Sequence, residues 1–451
     1  MVQKSTQLEL PLESRGEAPR VERSGEAESA ADAGARSGAS GLMEAVLDRR
    51  NLQAALKRVK QNKGSPGIDG MTVGELADHL REHWPRLREE LLGGTYRPQP
   101  VNRQLIPKRG GGMRQLGIPT VLDRFIQQAI LQVLQPRFDP TFSEHSYGFR
   151  PGRRAHQAVC AAQRYIQQGR RWVVDVDLEK FFDRVNHDVL MSRLAHRIED
   201  RRVLRLIRCY LNAGIMVNGV VVERHEGTPQ GGPLSPLLAN VLLDEVDKEF
   251  ERRGHAFVRY ADDCNVYVRS RRAGERVMGQ LRRLFARLRL RVNESKSAVA
   301  RVWGRKFLGF SFWMARGKQV KHRVAGEALK AMKERVRQIT RRTRGRSLEQ
   351  VAEELRAYLV GWKGYFRLAC TPGVFARLDA WIRHRLRALQ LKQWKRGRTI
   401  FRELRVRGMS VDAAAKVAAN GRRWWCNSAM AINIALPNRF FDRLGVPRLA
   451  S

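Results

Sequence analysis

The sequence is short of cysteine, of acidic side chains and of long apolar runs. Its five cysteines, Cys160, Cys209, Cys264, Cys370 and Cys426, are scattered through 451 residues. They are odd in number and form no Cys-x-x-Cys pair, so neither a disulfide framework nor a zinc site is suggested. A reducing compartment fits. No apolar run approaches the ~20 residues of a membrane span, and no signal peptide opens the chain. These absences point to a cytoplasmic protein with no membrane partner. Asp and Glu number 45 against 85 Lys and Arg, a formal net charge of +40. Such an excess implies a polyanionic partner, nucleic acid first. It is unevenly spread. Residues 1–41 hold five basic and seven acidic side chains, whereas residues 319–451 hold 30 basic and nine acidic. A binding surface is therefore expected in the last third of the chain.

Against that background the acidic residues stand out. Asp262 and Asp263 lie side by side within Phe257-Val258-Arg259-Tyr260-Ala261-Asp262-Asp263-Cys264-Asn265-Val266-Tyr267-Val268. The flanks are rich in Val, Tyr and Phe and read as strands, with the acidic pair at the tip of a hairpin. Turns favour Asp in any case. Adjacent carboxylates repel, however, and no Lys or Arg lies inside the turn. A hard divalent cation is the natural partner. A second acidic strand, Trp172-Val173-Val174-Asp175-Val176-Asp177, places Asp175 and Asp177 on one face by its period of two. Carboxylates in an apolar strand are costly unless paired or metal-bound. Should this strand lie beside the hairpin, three carboxylates converge in the manner of a two-metal phosphoryl-transfer site.

These residues resemble the catalytic blocks of reverse transcriptases. Tyr260-Ala261-Asp262-Asp263 looks like the catalytic box. Arg114 to Pro119, Tyr147-Gly148-Phe149-Arg150-Pro151-Gly152, Asp177 to Asp183, Gly227-Thr228-Pro229-Gln230-Gly231-Gly232-Pro233-Leu234-Ser235-Pro236 and Lys306 to Phe310 follow in that family's order. The dialect is similar to bacterial group II intron proteins, reverse transcriptases that also act as splicing maturases, and most to the compact group IIC type. The resemblance covers roughly residues 42–435. It implies an α/β (α+β) right-hand polymerase, with an antiparallel palm sheet backed by helices and then an α-helical thumb or maturase domain. It implies Mg²⁺ as cofactor, with Mn²⁺ able to substitute. The implied partners are group II intron RNA, an RNA template with a DNA primer, deoxynucleoside triphosphates and target DNA. Many relatives carry a C-terminal endonuclease with clustered His, Asn and paired Cys. No such cluster follows residue 318, so a primer made by another activity is expected.

The length suits two to four domains. Residues 1–41, rich in Gly, Ala, Ser and Glu, read as a disordered tail. Fingers and palm are expected over 42–318 and a basic helical thumb over 319–451. Leu42, Val46, Leu52, Leu56 and Val59 suggest a helix, and Lys63 to Gly70 a loop. In the resembled family this loop lies over the template. The spacing predicts a helix over 121–135 ended by Pro136. Another is predicted over 235–252, with Ser235 as N-cap and Pro236 at the first position. Residues 348–366 and 374–394 read as amphipathic helices. The tryptophans among them are expected in the core, with the intervening cations facing phosphates.

The family also apportions the site. Its metal aspartate is followed five residues later by an aromatic that screens the sugar 2′ position. Asp177 meets this with Phe182, whereas Asp175 is followed by Lys180. Asp177, Asp262 and Asp263 are therefore assigned to metal and catalysis. Asp175 becomes a supporting partner and Asp183 belongs to the following turn. Lys108 and Arg114, flanking Gly110-Gly111-Gly112, are assigned to the triphosphate, Gln230 to a base or sugar edge, and Lys296 to the leaving pyrophosphate. Arg383, Arg385 and Arg387 are assigned to nucleic-acid phosphates. Trp424 to Ser451 carries no assigned role. Two other readings stay open: a domesticated reverse transcriptase for defence or repair, and a non-catalytic RNA-binding splicing cofactor.

Overall fold

The computed structural model describes residues 41–107, 112–217, 220–223, 226–343, 345–428 and 431–450. The expected tail thus lies outside the described residues. Two compact units are separated between Arg301 and Val302, rather than at residue 318.

The first unit is built around a four-stranded antiparallel sheet ordered Ala256–Tyr260, Asp263–Val268, Trp172–Val176 and Ala298–Arg301. Its strands are Val- and aromatic-rich, as a pleated and largely buried surface requires. Helices Ala155–Gln167, Ser235–Arg252 and Arg271–Arg287 pack on it. Val174, Phe257 and Val266 are fully buried in the core between these layers. A second sheet joins Val101–Pro107, Met113–Ile118, Ile215–Val217 and Val220–Val222.

Three local readings are corrected. The N-terminal apolar stripe is two helices, Leu42–Val46 and Arg49–Asn62. Asp48 breaks it, because its carboxylate caps the second helix by accepting from the amides of Arg50 and Asn51. The next predicted helix runs Val121–Phe138 and includes Pro136. A proline this close to the end removes one N–H from the last turn, where the structure tolerates the loss. Ser235 is the first residue of its helix, and Leu234 is the N-cap. The Ser235 hydroxyl instead donates to the Pro229 carbonyl and accepts from Thr228 Oγ1.

The second unit opens with the antiparallel strands Lys306–Phe307, Phe310–Met314 and Val320–Val324. Helices Gly326–Ile339, Leu348–Phe366 and Pro372–Trp394 follow, then the short helices Gly397–Val406 and Val411–Ala419. Helix Pro372–Trp394 buries Leu378, Ile382, Leu386, Leu389 and Leu391. Its first part is exposed at residues 372, 373, 376, 377 and 380, whereas residues 381–394 are enclosed. Among the described residues no helix is long and apolar enough to cross a membrane.

Candidate active site

Pairing register brings the predicted carboxylates to one end of the first sheet. Strand Trp172–Val176 sets Val176 opposite Cys264 and Asp175 opposite Asn265. Asp177, one residue further, continues that register toward Asp263, and opposed residues of an antiparallel pair share a face. Tyr260 pairs with Asp263, so Ala261 and Asp262 alone form the turn. Asp177, Asp262 and Asp263 are all half-buried. Asp175 is taken up elsewhere: the Asn265 amide, oriented to donate, lies 3.0 Å from Asp175 Oδ1.

A loop fixes Asp177 from behind. Its N–H donates to Ser297 Oγ at 3.0 Å, and its carbonyl accepts from Asn293 N–H at 2.8 Å. The same loop brings Lys296 Nζ to 3.3 Å from Asp177 Oδ2. No group of three or more His, Cys, Asp or Glu side chains is gathered into a ready metal cage among the described residues.

Phe182 lies in the single turn Phe181–Asp183, packed edge-on against Phe181 and Phe149 and 8% exposed. Backbone bonds tie it to the Pro-Gln-Gly turn. Thr228 N–H donates to the Phe182 carbonyl at 2.7 Å, and Gly117 N–H donates to the Gln230 carbonyl at 3.1 Å. The second bond joins that turn to strand Met113–Ile118, which carries Arg114. A Cβ on Gly231 would stand 2.6 Å from the Gly117 carbonyl oxygen, so the approach needs glycine. Lys108 and the Arg114 side chain lie outside the described residues.

The arginine row Arg383, Arg385 and Arg387 does not form a phosphate surface. Arg383 is 1% exposed. Its guanidinium donates to Asp379, Asp442 and the carbonyls of Val446 and Pro447 at 3.0–3.3 Å. Arg387, also buried, donates to the Leu436 carbonyl and Asn438 Oδ1. Arg385 Nε donates to Thr340 Oγ1 at 2.6 Å, and its guanidinium lies over the Trp381 ring. From residue 381 on no residue of the helix is exposed, so the buried Arg383 and Arg387 find partners inside, and Arg385 is half-buried. The segment Leu436–Leu449, left without a role by the sequence, supplies most of them. Helix Gly326–Ile339 is one place with exposed cations, Lys330, Lys333 and Arg337, which share one face.

Sequence reasoning also missed what lies under the catalytic turn: Arg259, Asp247 and Asn240, all buried. The available signal was a charged residue, Arg259, inside an otherwise apolar strand.

Comparison with known proteins matches residues 106–312 to the model of reverse transcriptase (RNA-dependent DNA polymerase) and residues 329–408 to the group II intron maturase-specific domain. Protein YkfC of Escherichia coli K12 is 32% identical over 58% of this chain and 79% of its own length. The group II intron-encoded protein LtrA of Lactococcus lactis subsp. cremoris is 38% identical over 43% of this chain and 32% of its own. The match thus spans about a third of LtrA. A chain of the partial Cas6-RT-Cas1–Cas2 complex matches at a TM-score of 0.36, with 25% identity over 54% of this chain and 42% of that one.

Proposed function

The chain belongs to the group II intron-encoded reverse transcriptases and carries their polymerase and maturase-specific domains, and from this we propose how it works. It copies an RNA template from a DNA primer using deoxynucleoside triphosphates. It also holds folded intron RNA for splicing and supports retrohoming by target-primed synthesis on target DNA. The observation that supports this reading is the pairing of strands Trp172–Val176 and Asp263–Val268, whose last pair, Val176 with Cys264, adjoins Asp177, Asp263 and the two-residue turn bearing Asp262.

Reverse transcriptase domains use divalent metal ions. Here Asp177, Asp262 and Asp263 would hold two Mg²⁺, with Mn²⁺ able to substitute. Bound there, the ions supply Lewis-acid stabilisation of the attacking and leaving oxygens. The remaining steps fall to the chain's own side chains. Lys108 and Arg114 take the triphosphate, and Gln230 reaches the nucleotide from its pinned turn. Phe182 closes the space beside the sugar, where a 2′-hydroxyl would sit. Lys296, already on Asp177, supplies a positive charge and a proton toward the leaving pyrophosphate. Intron RNA is held by the exposed stripe Lys330, Lys333 and Arg337 rather than by the inward-facing arginines.

Primer extension on an RNA template tests the reading. Wild type should require Mg²⁺ or Mn²⁺, and Asp262→Ala should remove synthesis, because nothing nearby replaces a lost metal ligand. Full extension by this variant, free of contaminating polymerase, rejects the assignment.

A further inference from the structure

We propose that Arg259 is a positioning residue for the catalytic turn, fixing the Ala261–Asp262 peptide and so the aim of Asp262. This rests on the polymerase reading of the site. Ala261 sits at φ 57°, in the left-handed region that disfavours a side chain. Asp262 is not among the residues at positive φ. A positive φ at the first central residue alone is the pattern of a type II′ turn, where Gly is preferred. The alternative hairpin turn, type I′, differs by rotation of the central peptide. That peptide joins Ala261 to Asp262, and its rotation would re-aim the metal ligand that follows.

Arg259 holds this peptide from below. Its Nη1 donates to the Ala261 carbonyl at 3.0 Å and to Asn240 Oδ1 at 2.9 Å. Its Nε and Nη2 grip Asp247, with Nε at 2.8 Å from Oδ1 and Nη2 at 2.6 Å from Oδ2. Both charged side chains are essentially unexposed. Burial lifts the Asp247 carboxyl above its ordinary range, while the guanidinium opposite opposes that shift. The pair is therefore rigid, since either partner alone would be a buried charge.

The turn is also held from the side. Arg259 N–H donates to the His145 carbonyl, and Tyr147 N–H donates to the Arg259 carbonyl, both at 2.9 Å. Asn240 Nδ2 donates to the Gly148 carbonyl at 3.0 Å. A Cβ on Gly148 would stand 2.2 Å from Ala261 N. The Arg259 side chain thus joins helix Ser235–Arg252 to the catalytic turn, while its backbone and Asn240 tie in the Tyr147-Gly148 block. A strained alanine can persist in the turn because its carbonyl has a fixed, charged donor.

The experiment compares wild type, Arg259→Lys and Asn240→Ala. Lysine keeps a charge for Asp247 but cannot span Asn240 and Ala261 as well. Arg259→Lys should lower kcat for primer extension by roughly 10- to 100-fold, as a misplaced ligand does. KM for template–primer should stay within about twofold. Hydrogen exchange over residues 257–267 should quicken, and Mn²⁺ affinity, read by electron paramagnetic resonance, should weaken. Asn240→Ala leaves the ion pair intact, so it reports should Arg259→Lys fail to fold; smaller changes of the same kind are expected. Unchanged kcat, exchange and Mn²⁺ affinity in a folded variant overturn the proposal. A wild type that synthesises no DNA defeats the polymerase reading instead, and exchange and Mn²⁺ affinity still decide the role of Arg259.

Discussion

Asp177, Asp262 and Asp263 in the first unit and Arg383, Arg385 and Arg387 in the second are both clusters of like charge, and the fold treats them oppositely. The carboxylates end a strand and cap a turn, half-buried. Arg383 and Arg387 turn inward onto carboxylates and carbonyls of their own chain, and the half-buried Arg385 donates to a hydroxyl. Partly open charge of one sign at a strand end is available to a ligand. Charge bonded inside a helical unit is a structural tie, however basic its surroundings.

The largest expected contrast comes from changing one member of each cluster. Asp263→Asn is nearly isosteric. It should cut complementary-DNA synthesis by roughly 10³-fold or more, the scale of several kcal/mol of lost transition-state stabilisation. RNA affinity and splicing of the cognate intron at low Mg²⁺ should remain. Loss of splicing with intact fold and RNA affinity would remove the maturase half of the reading. Arg383→Ala should do the reverse and act on stability, by about 3–5 kcal/mol, since Asp379 and Asp442 lose a buried partner. Thermal unfolding and limited proteolysis after residue 424 measure it. A variant as stable as wild type but weak on RNA would return Arg383 to a phosphate.

A buried carboxylate sharpens the comparison. Burial pushes Asp123 up to about 6 from 3.8, although it accepts from Thr120 Oγ1 and Tyr96 OH. Its folded pKa exceeds the unfolded one, so the folded state binds the extra proton between them. This contribution is full below about pH 4 and is lost as pH rises through about 6. It is worth on the order of 3 kcal/mol at most. Relative to Asp123→Asn, wild type should lose melting temperature across that window. A constant gap between the two would show that Asp123 does not titrate there. The smallest effect is expected from the exposed stripe. Each of Lys330→Gln, Lys333→Gln and Arg337→Gln should lower the salt slope of RNA binding by about one unit, with stability unchanged. No change in slope would move the interface elsewhere.

Much of the site was legible because it is local. Valines at alternate positions fixed which face Asp175 and Asp177 share, and Tyr260 to Asp263 is short enough to be only a turn. Phe182 and Gln230 could be named, but not the backbone bonds from Thr228 and Gly117 that draw them together. Asp48 and Ser235 show the limit at helix ends. Both are good N-cap types, and only the structure shows that Asp48 caps while Ser235 braces the Pro229 turn. Arg259 was visible as a residue beside the acidic pair, but its inward direction was not drawn from the pattern.

The sequence by itself determined the strands, the main helices, the carboxylate spacing and the excess of positive charge. These follow from side-chain period and near-neighbour sterics, which act within a few residues. Only the tertiary structure decided which charges are offered and which are consumed. Arg383 is claimed by Asp442, Val446 and Pro447, some 60 residues along the chain, and Arg259 by Asp247 from a different element. A buried charge survives only with a partner, and no local pattern states where in a long chain that partner lies.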